Sequence, residues 1–220
     1  SVLGVAIIPP YETYIPYEVY IAPGLIAMIQ LFNGMQSSLS MVYDREMGSM
    51  KTMLVSPIPR WFLLCSKLFA GVFVSILQVY AFLLIASFWD IIPPVSGYFT
   101  ILPALIISGL MLGALGMFLS SAIKQLENFA GVMNFVIFPM FFASSALYPL
   151  WKIEETSEWL YLVCFYNPFT YAVESIRFSL YSQINFEYSA GIIIFTLIFL
   201  FLSIMGYDPS RGNLQKKGGK

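Results

Sequence analysis

Tyr98–Ile123 reads YFTILPALIISGLMLGALGMFLSSAI, twenty-six residues without a single charge. At about 1.5 Å of rise per residue this makes a helix of roughly 39 Å, longer than the ~30 Å hydrocarbon core of a bilayer, and the run is read as a membrane span. Gly109 and Gly113 stand four apart, with Gly116 beyond them. That spacing lets a second helix backbone approach closely, which makes this side a packing face.

Four more runs of the same kind flank it. Residues 19–43 carry Pro23 and Gly24 near the start and Gln30, Asn33 and Gln36 further on. Residues 61–89 are bracketed by Trp61 and Trp89 as interfacial anchors, with Lys67 near enough to the end to snorkel toward headgroups. Residues 129–147 meet Pro139 partway and Pro149 just beyond, predicting a kinked or broken helix. Residues 189–206 form the last run. Between them lie a polar loop at 44–60 that ends in Ser56-Pro57-Ile58-Pro59, a tight loop at 90–97 and a link at 124–128. Residues 148–188 are aromatic yet sprinkled with carboxylates, too polar to span and too apolar to float free, and a polar tail follows at 207–220. The expected fold is an all-α polytopic transmembrane bundle with an outer re-entrant or interfacial helical hairpin at 148–188. Five spans are visible, and a sixth is presumed missing before Ser1.

Composition agrees. Of 220 residues 59% are hydrophobic, 17% aromatic and only 10% charged, and the mean hydropathy is +0.78. A soluble domain carries roughly 25% charged residues. Eleven basic against twelve acidic residues leave a net charge of −1 and no electrostatic basis for binding nucleic acid. The absence of histidine removes His-built metal sites, His triads and His proton relays. No GxxxxGK[ST] cradle is present, so this chain is expected to bind no nucleotide, cofactor or metal, and any energy must come from a partner. Cys65 and Cys164 fall near opposite membrane faces and are expected as free thiols.

Basic residues set the orientation. Arg45, Lys51, Arg60, Lys67, Lys124, Arg211, Lys216, Lys217 and Lys220 all fall on one side, against Lys152 and Arg177 on the other. The richer side is expected to be cytoplasmic and to hold the C-terminus, in a multi-pass protein of a bacterial inner membrane. None of the runs has an ionisable group near its middle, which weakens a proton-coupled carrier. The polar residues within them, Gln30, Asn33, Gln78 and Asn134, could line a substrate path or serve as interhelical hydrogen-bond glue. The 44–60 loop could be a solvated connection. Alternatively it could form a short helix that docks in a cleft of a cytoplasmic partner, with its methionines as anchors and Arg45, Glu46 and Lys51 at the rim.

Two motifs carry a family resemblance. Glu46-x-Gly48, followed by Leu54-Val55-Ser56-Pro57-x-x-Arg60, resembles the first cytoplasmic loop of ABC-2 type transporter permeases. Ser144-Ser145-Ala146-Leu147-Tyr148-Pro149, then Asn167-Pro168-Phe169-Thr170-Tyr171 and Glu174-x-x-Arg177, resembles the outer hairpin of the same family. The resemblance implies a permease homodimer or heterodimer over two ATP-binding subunits, which hold the ATP and Mg. It places contact with those subunits at Arg45, Glu46, Gly48, Pro57 and Arg60, to which the docking-helix reading adds Lys51. A lid over the transport path is then one reading of the hairpin, through Tyr148, Pro149, Asn167, Pro168, Thr170, Tyr171, Glu174 and Arg177, and the other is an interfacial anchor with Trp151, Trp159 and Tyr161 as an aromatic belt. The function implied is that of a permease subunit of an ABC exporter, and the aromatic, weakly charged interior, rather than the resemblance, points to an amphipathic, lipid-linked or drug-like substrate. An ion-coupled secondary carrier and a membrane-embedded assembly factor remain the other readings.

Overall fold

The computed structural model describes residues 17–47, 60–88, 94–123 and 126–206. Eight helices occupy them: α1 Tyr17–Glu46, α2 Arg60–Ser87, α3 Gly97–Ala122, α4 Leu126–Phe142, α5 Leu150–Thr156, α6 Glu158–Phe165, α7 Pro168–Leu180 and α8 Phe186–Gly206. No strand occurs among the described residues, and the all-α bundle is as expected. α1, α2, α3 and α8 are long and apolar enough to cross a bilayer, while α4 is a shorter apolar helix.

Helix ends differ from the sequence boundaries for local reasons. α1 continues past Tyr43 to Glu46, because nothing in Asp44-Arg45-Glu46 breaks a helix and the Asp44 carboxylate is neutralised by Lys67. α4 stops at Phe142, one turn after Pro139, rather than running to Leu147. Its 17 residues reach only about 25 Å. The 148–188 stretch, expected as a helical hairpin, holds three short helices, of which α7 begins with Asn167 as N-cap and Pro168 in the first turn, where the missing N–H costs nothing. α7 ends at Leu180, and two residues on Ser182 holds a left-handed φ of 58° that lets Gln183 N–H reach back to Phe178 O at 3.0 Å.

α1 and α3 form the centre of the bundle. α2 packs on both, α4 lies against α1, α8 against α3, and α7 closes one end over α1, α3 and α8. One continuous core joins them, with Ile26, Leu31 and Met35 of α1, Leu105, Met111 and Leu112 of α3, and Phe169, Val173 and Ile176 of α7 fully buried. The α1–α3 crossing is close because of glycine. A Cβ on Gly116 would fall 2.7 Å from Gly34 O, and one on Gly34 would fall 3.0 Å from Gly113 Cα. Gly109 faces the Gln30 side chain. The expected packing face is therefore a real seam, and its other half is the Gln30, Gly34, Ser38 ridge of α1, each four residues from the last.

The outside of the bundle identifies its solvent. In α3, 67% of the most apolar stretch is buried, against 11% in α8, although both are equally greasy. Phe73 of α2, Phe135 of α4 and Leu197 of α8 stand exposed. Water would penalise such a surface by roughly 25 cal/mol for every Å² of apolar area left uncovered, whereas lipid does not.

Candidate functional site

The 148–188 hairpin is fastened to the bundle through its Asn-Pro-Phe-Thr-Tyr block, and the residues of the block do different jobs. Asn167 Oδ1 accepts from Phe169 N–H at 3.0 Å and so caps α7. Its Nδ2 donates to Met140 O at 2.8 Å and to Ala143 O at 2.6 Å. These are carbonyls that the end of α4 leaves without helical partners, so one amide closes two helices. Phe169 packs edge-on to Phe141 of α4 with ring centroids 6.1 Å apart. Thr170 Oγ1 donates to Cys164 O at 2.6 Å and accepts from Ser145 N–H at 3.3 Å, tying the end of α6 to the turn after α4. Tyr171 lies over Gly191 of α8, at a spot any Cβ would fill, and touches Phe165, Tyr188 and Phe195. Burial pushes its phenol above the usual value, with Glu187, Tyr166 and Tyr161 acting in the same direction, so the ring stays neutral. Cys164 is buried and Cys65 partly so; both are free, and burial raises the Cys164 thiol.

A charged latch completes this end. Arg177 pairs with Glu174 three residues earlier on α7, donates through Nη2 to Ser145 O at 3.0 Å, and lies 4.2 Å above the Tyr20 ring of α1. Tyr20 OH donates to the same Ser145 carbonyl at 2.9 Å. Glu174 is buried and Arg177 nearly so, in a place where an unpaired charge would be costly. Tyr148 is exposed and Pro149 caps α5. Around the rim Trp151, Trp159 and Tyr166 are also exposed, as the amphipathic rings of an interfacial belt would be.

The opposite end of α1 carries a second ion pair, Asp44 with Lys67 of α2. Lys67 therefore engages a carboxylate rather than only snorkelling. Tyr20 and Asp44 are 24 residues apart, about 36 Å along α1, which matches a hydrocarbon slab with charges held at its two edges.

The four candidate path residues separate. Gln30 is buried, donates Nε2 to Leu105 O at 2.7 Å, and its Oε1 lies 2.6 Å from the Ser108 hydroxyl. It is interhelical glue. Asn33 instead donates Nδ2 to Gln78 Oε1 at 2.6 Å. This pair borders an open cleft of about 370 Å³ between α1 and α2, lined also by Met28, Phe32, Gln36 and Phe82. Asn134 is exposed on α4, apart from that cleft. Of the residues expected to meet an ATP-binding subunit, Gly48, Lys51 and Pro57 lie outside the described residues, and Arg45, Glu46 and Arg60 are described only as helix backbone. The 207–220 tail also lies outside them.

Sequence reasoning missed Tyr20, Gly34, Ser38 and the Asp44–Lys67 pair. Gly34-x-x-x-Ser38 has the same small-residue spacing as Gly109-x-x-x-Gly113, a signal that was available. Nothing in the chain marks Tyr20 out from its neighbour Tyr17.

Residues 8–181 match the family model described as ABC-2 type transporter. A protein named as a transport permease, ycf38, of Cyanophora paradoxa is 28% identical over 86% of this chain and 63% of its own length. Its namesake in Porphyra purpurea is 29% identical over 80% of this chain and 60% of its own. The Escherichia coli K12 protein named "Probable multidrug ABC transporter permease YbhR" is 30% identical over 72% of this chain and 42% of its own. The chain thus spans somewhat under two thirds of the relatives it matches best in extent. No solved structure matches it.

Proposed function

The chain belongs to the ABC-2 type transporter family and is an integral membrane protein, and on that premise we propose that it is the permease subunit of an ATP-driven exporter. It works as a dimer, with ATP and Mg held by a separate ATP-binding subunit on the side of Asp44 and Lys67. That side faces the cytoplasm of a bacterial cell and carries the C-terminus. The cargo is amphipathic, lipid-linked or drug-like and passes outward along the α1–α2 cleft, with the hairpin closing the outer end.

The observation that carries the path is the depth of the Asn33–Gln78 pair. Asn33 lies thirteen residues, roughly 20 Å, from Tyr20 and eleven residues, roughly 16 Å, from Asp44, which puts it near the bilayer midplane. Gln36 and Gln78 are exposed at that depth. Lipid tails offer an amide no partner, so this face is better explained by a hydrated path or a second subunit than by hydrocarbon. Phe32 and Phe82 beside the amides suit a cargo with one greasy and one polar part.

Reconstituted in vesicles with its ATP-binding subunit, the permease is expected to expel ethidium, an amphipathic cation, only when ATP is present on the subunit's side. Asn33→Leu with Gln78→Leu should reduce that rate roughly tenfold while leaving assembly intact. Efflux that follows an ion gradient without nucleotide would instead assign the chain to the secondary carriers. No Asp, Glu, Lys or Arg lies mid-span among the described residues to serve such a gradient.

A further inference from the structure

α1 is one continuous helix with a fastening at each end. At the inner end Asp44 pairs with Lys67 of α2, whose Nζ also lies 3.5 Å from Ser40 Oγ. At the outer end Tyr20 holds the Ser145 carbonyl and lies under Arg177 of α7. Between them Gly34 is seated against the backbone of α3, so the rod is guided along its length. Both members of the inner pair are largely covered, with side-chain exposures of 20% for Asp44 and 30% for Lys67, so the pair is less screened than a surface bridge. It ties α1, two residues before its end, to α2, two turns after its start, and these are the helices that residues 48–59 connect.

We propose that Asp44 and Lys67 are positioning residues: they bind α2 to α1 so that a push on the segment joining these helices moves α1 as a rod and reaches the hairpin through Tyr20, Ser145 and Arg177. Without the pair, a displaced loop can move α2 against α1 and the push is spent there. With it, the inner and outer ends of the subunit share one moving element, which is what coupling between distant sites requires. This rests on the permease reading above, since an ATP-binding subunit supplies the push.

The test places a fluorophore on the hairpin through Trp159→Cys in a Cys65→Ser background and follows its nucleotide-dependent signal in the complex with the ATP-binding subunit. Asp44→Asn and Lys67→Met should each reduce the amplitude at least roughly fivefold, while hydrolysis by the complex stays within about twofold. Exchanging the charges, Asp44→Lys with Lys67→Asp, should restore the signal, which a general loss of packing would not allow. Where a single replacement prevents assembly, the neutral pair Asp44→Asn with Lys67→Met leaves no unmatched charge, and the same loss is expected of it. Full amplitude in the neutral pair, or failure of the exchange to restore it, overturns the inference and leaves the permease reading standing. No nucleotide response in the unsubstituted complex overturns the permease reading itself.

Discussion

Arg177→Met is expected to destabilise the protein by about 3 kcal/mol, the largest effect of any single side-chain replacement in the outer end. The change removes the cation beside Glu174, the donor to Ser145 O and the charge over the Tyr20 ring together. Glu174 is left buried at the membrane edge and must either stay ionised without a partner or take up a proton. Both cost free energy, and both loosen α7 from α1. Glu174→Gln with Arg177→Met removes the stranded charge and should recover at least half of the loss. Denaturant unfolding in mild detergent compares the variants. If the single and double replacements proved equally destabilising, the ion pair would be no more than a packing contact.

Gly116→Val should cost roughly 2–3 kcal/mol by overpacking, because its Cβ enters the space held by Ser38 Oγ, which can rotate away, and by Gly34 O, which cannot leave without moving α1. Backbone, not a flexible tip, stands in the way. Gly131→Ala on α4 is the matched control: nothing lies within 4 Å of the added methyl, and the better helix former should be neutral or stabilising by up to about 1 kcal/mol. Thermal unfolding of the two variants side by side would show whether the α1–α3 seam is as tight as it is drawn. Similar midpoints for both would mean that the helices separate easily.

The long helices were legible because lipid imposes one rule on every stretch of spanning backbone, and the uncharged run at 98–123 states it plainly. The small-residue spacing in that run foretold a seam but not its partner, because a second half needs only one glycine and a serine, and such pairs are common. Gln30 and Asn33 show where one-dimensional reading stops. They are three residues apart and alike in chemistry, yet α3 covers the first and the second borders an open cleft. The Asn-Pro-Phe-Thr-Tyr block could be located but not interpreted, since its partners on α4, α6 and α8 lie up to 28 residues away along the chain. The end of α4 was placed too late because what closes it lies elsewhere in the chain: the carbonyls of Met140 and Ala143 turn from the helical ladder to the Asn167 amide.

On the proposed function, the work is done by a separate subunit and enters at the Asp44 end of α1. Met47, just beyond that helix and exposed, is the described residue nearest the proposed entry. A photo-crosslinking side chain placed there, in native membranes, should capture the ATP-binding subunit, with a yield that changes between ATP-bound and nucleotide-free states. Capture of no nucleotide-hydrolysing protein, together with labelling of position 47 from the opposite side of the membrane, would contradict it.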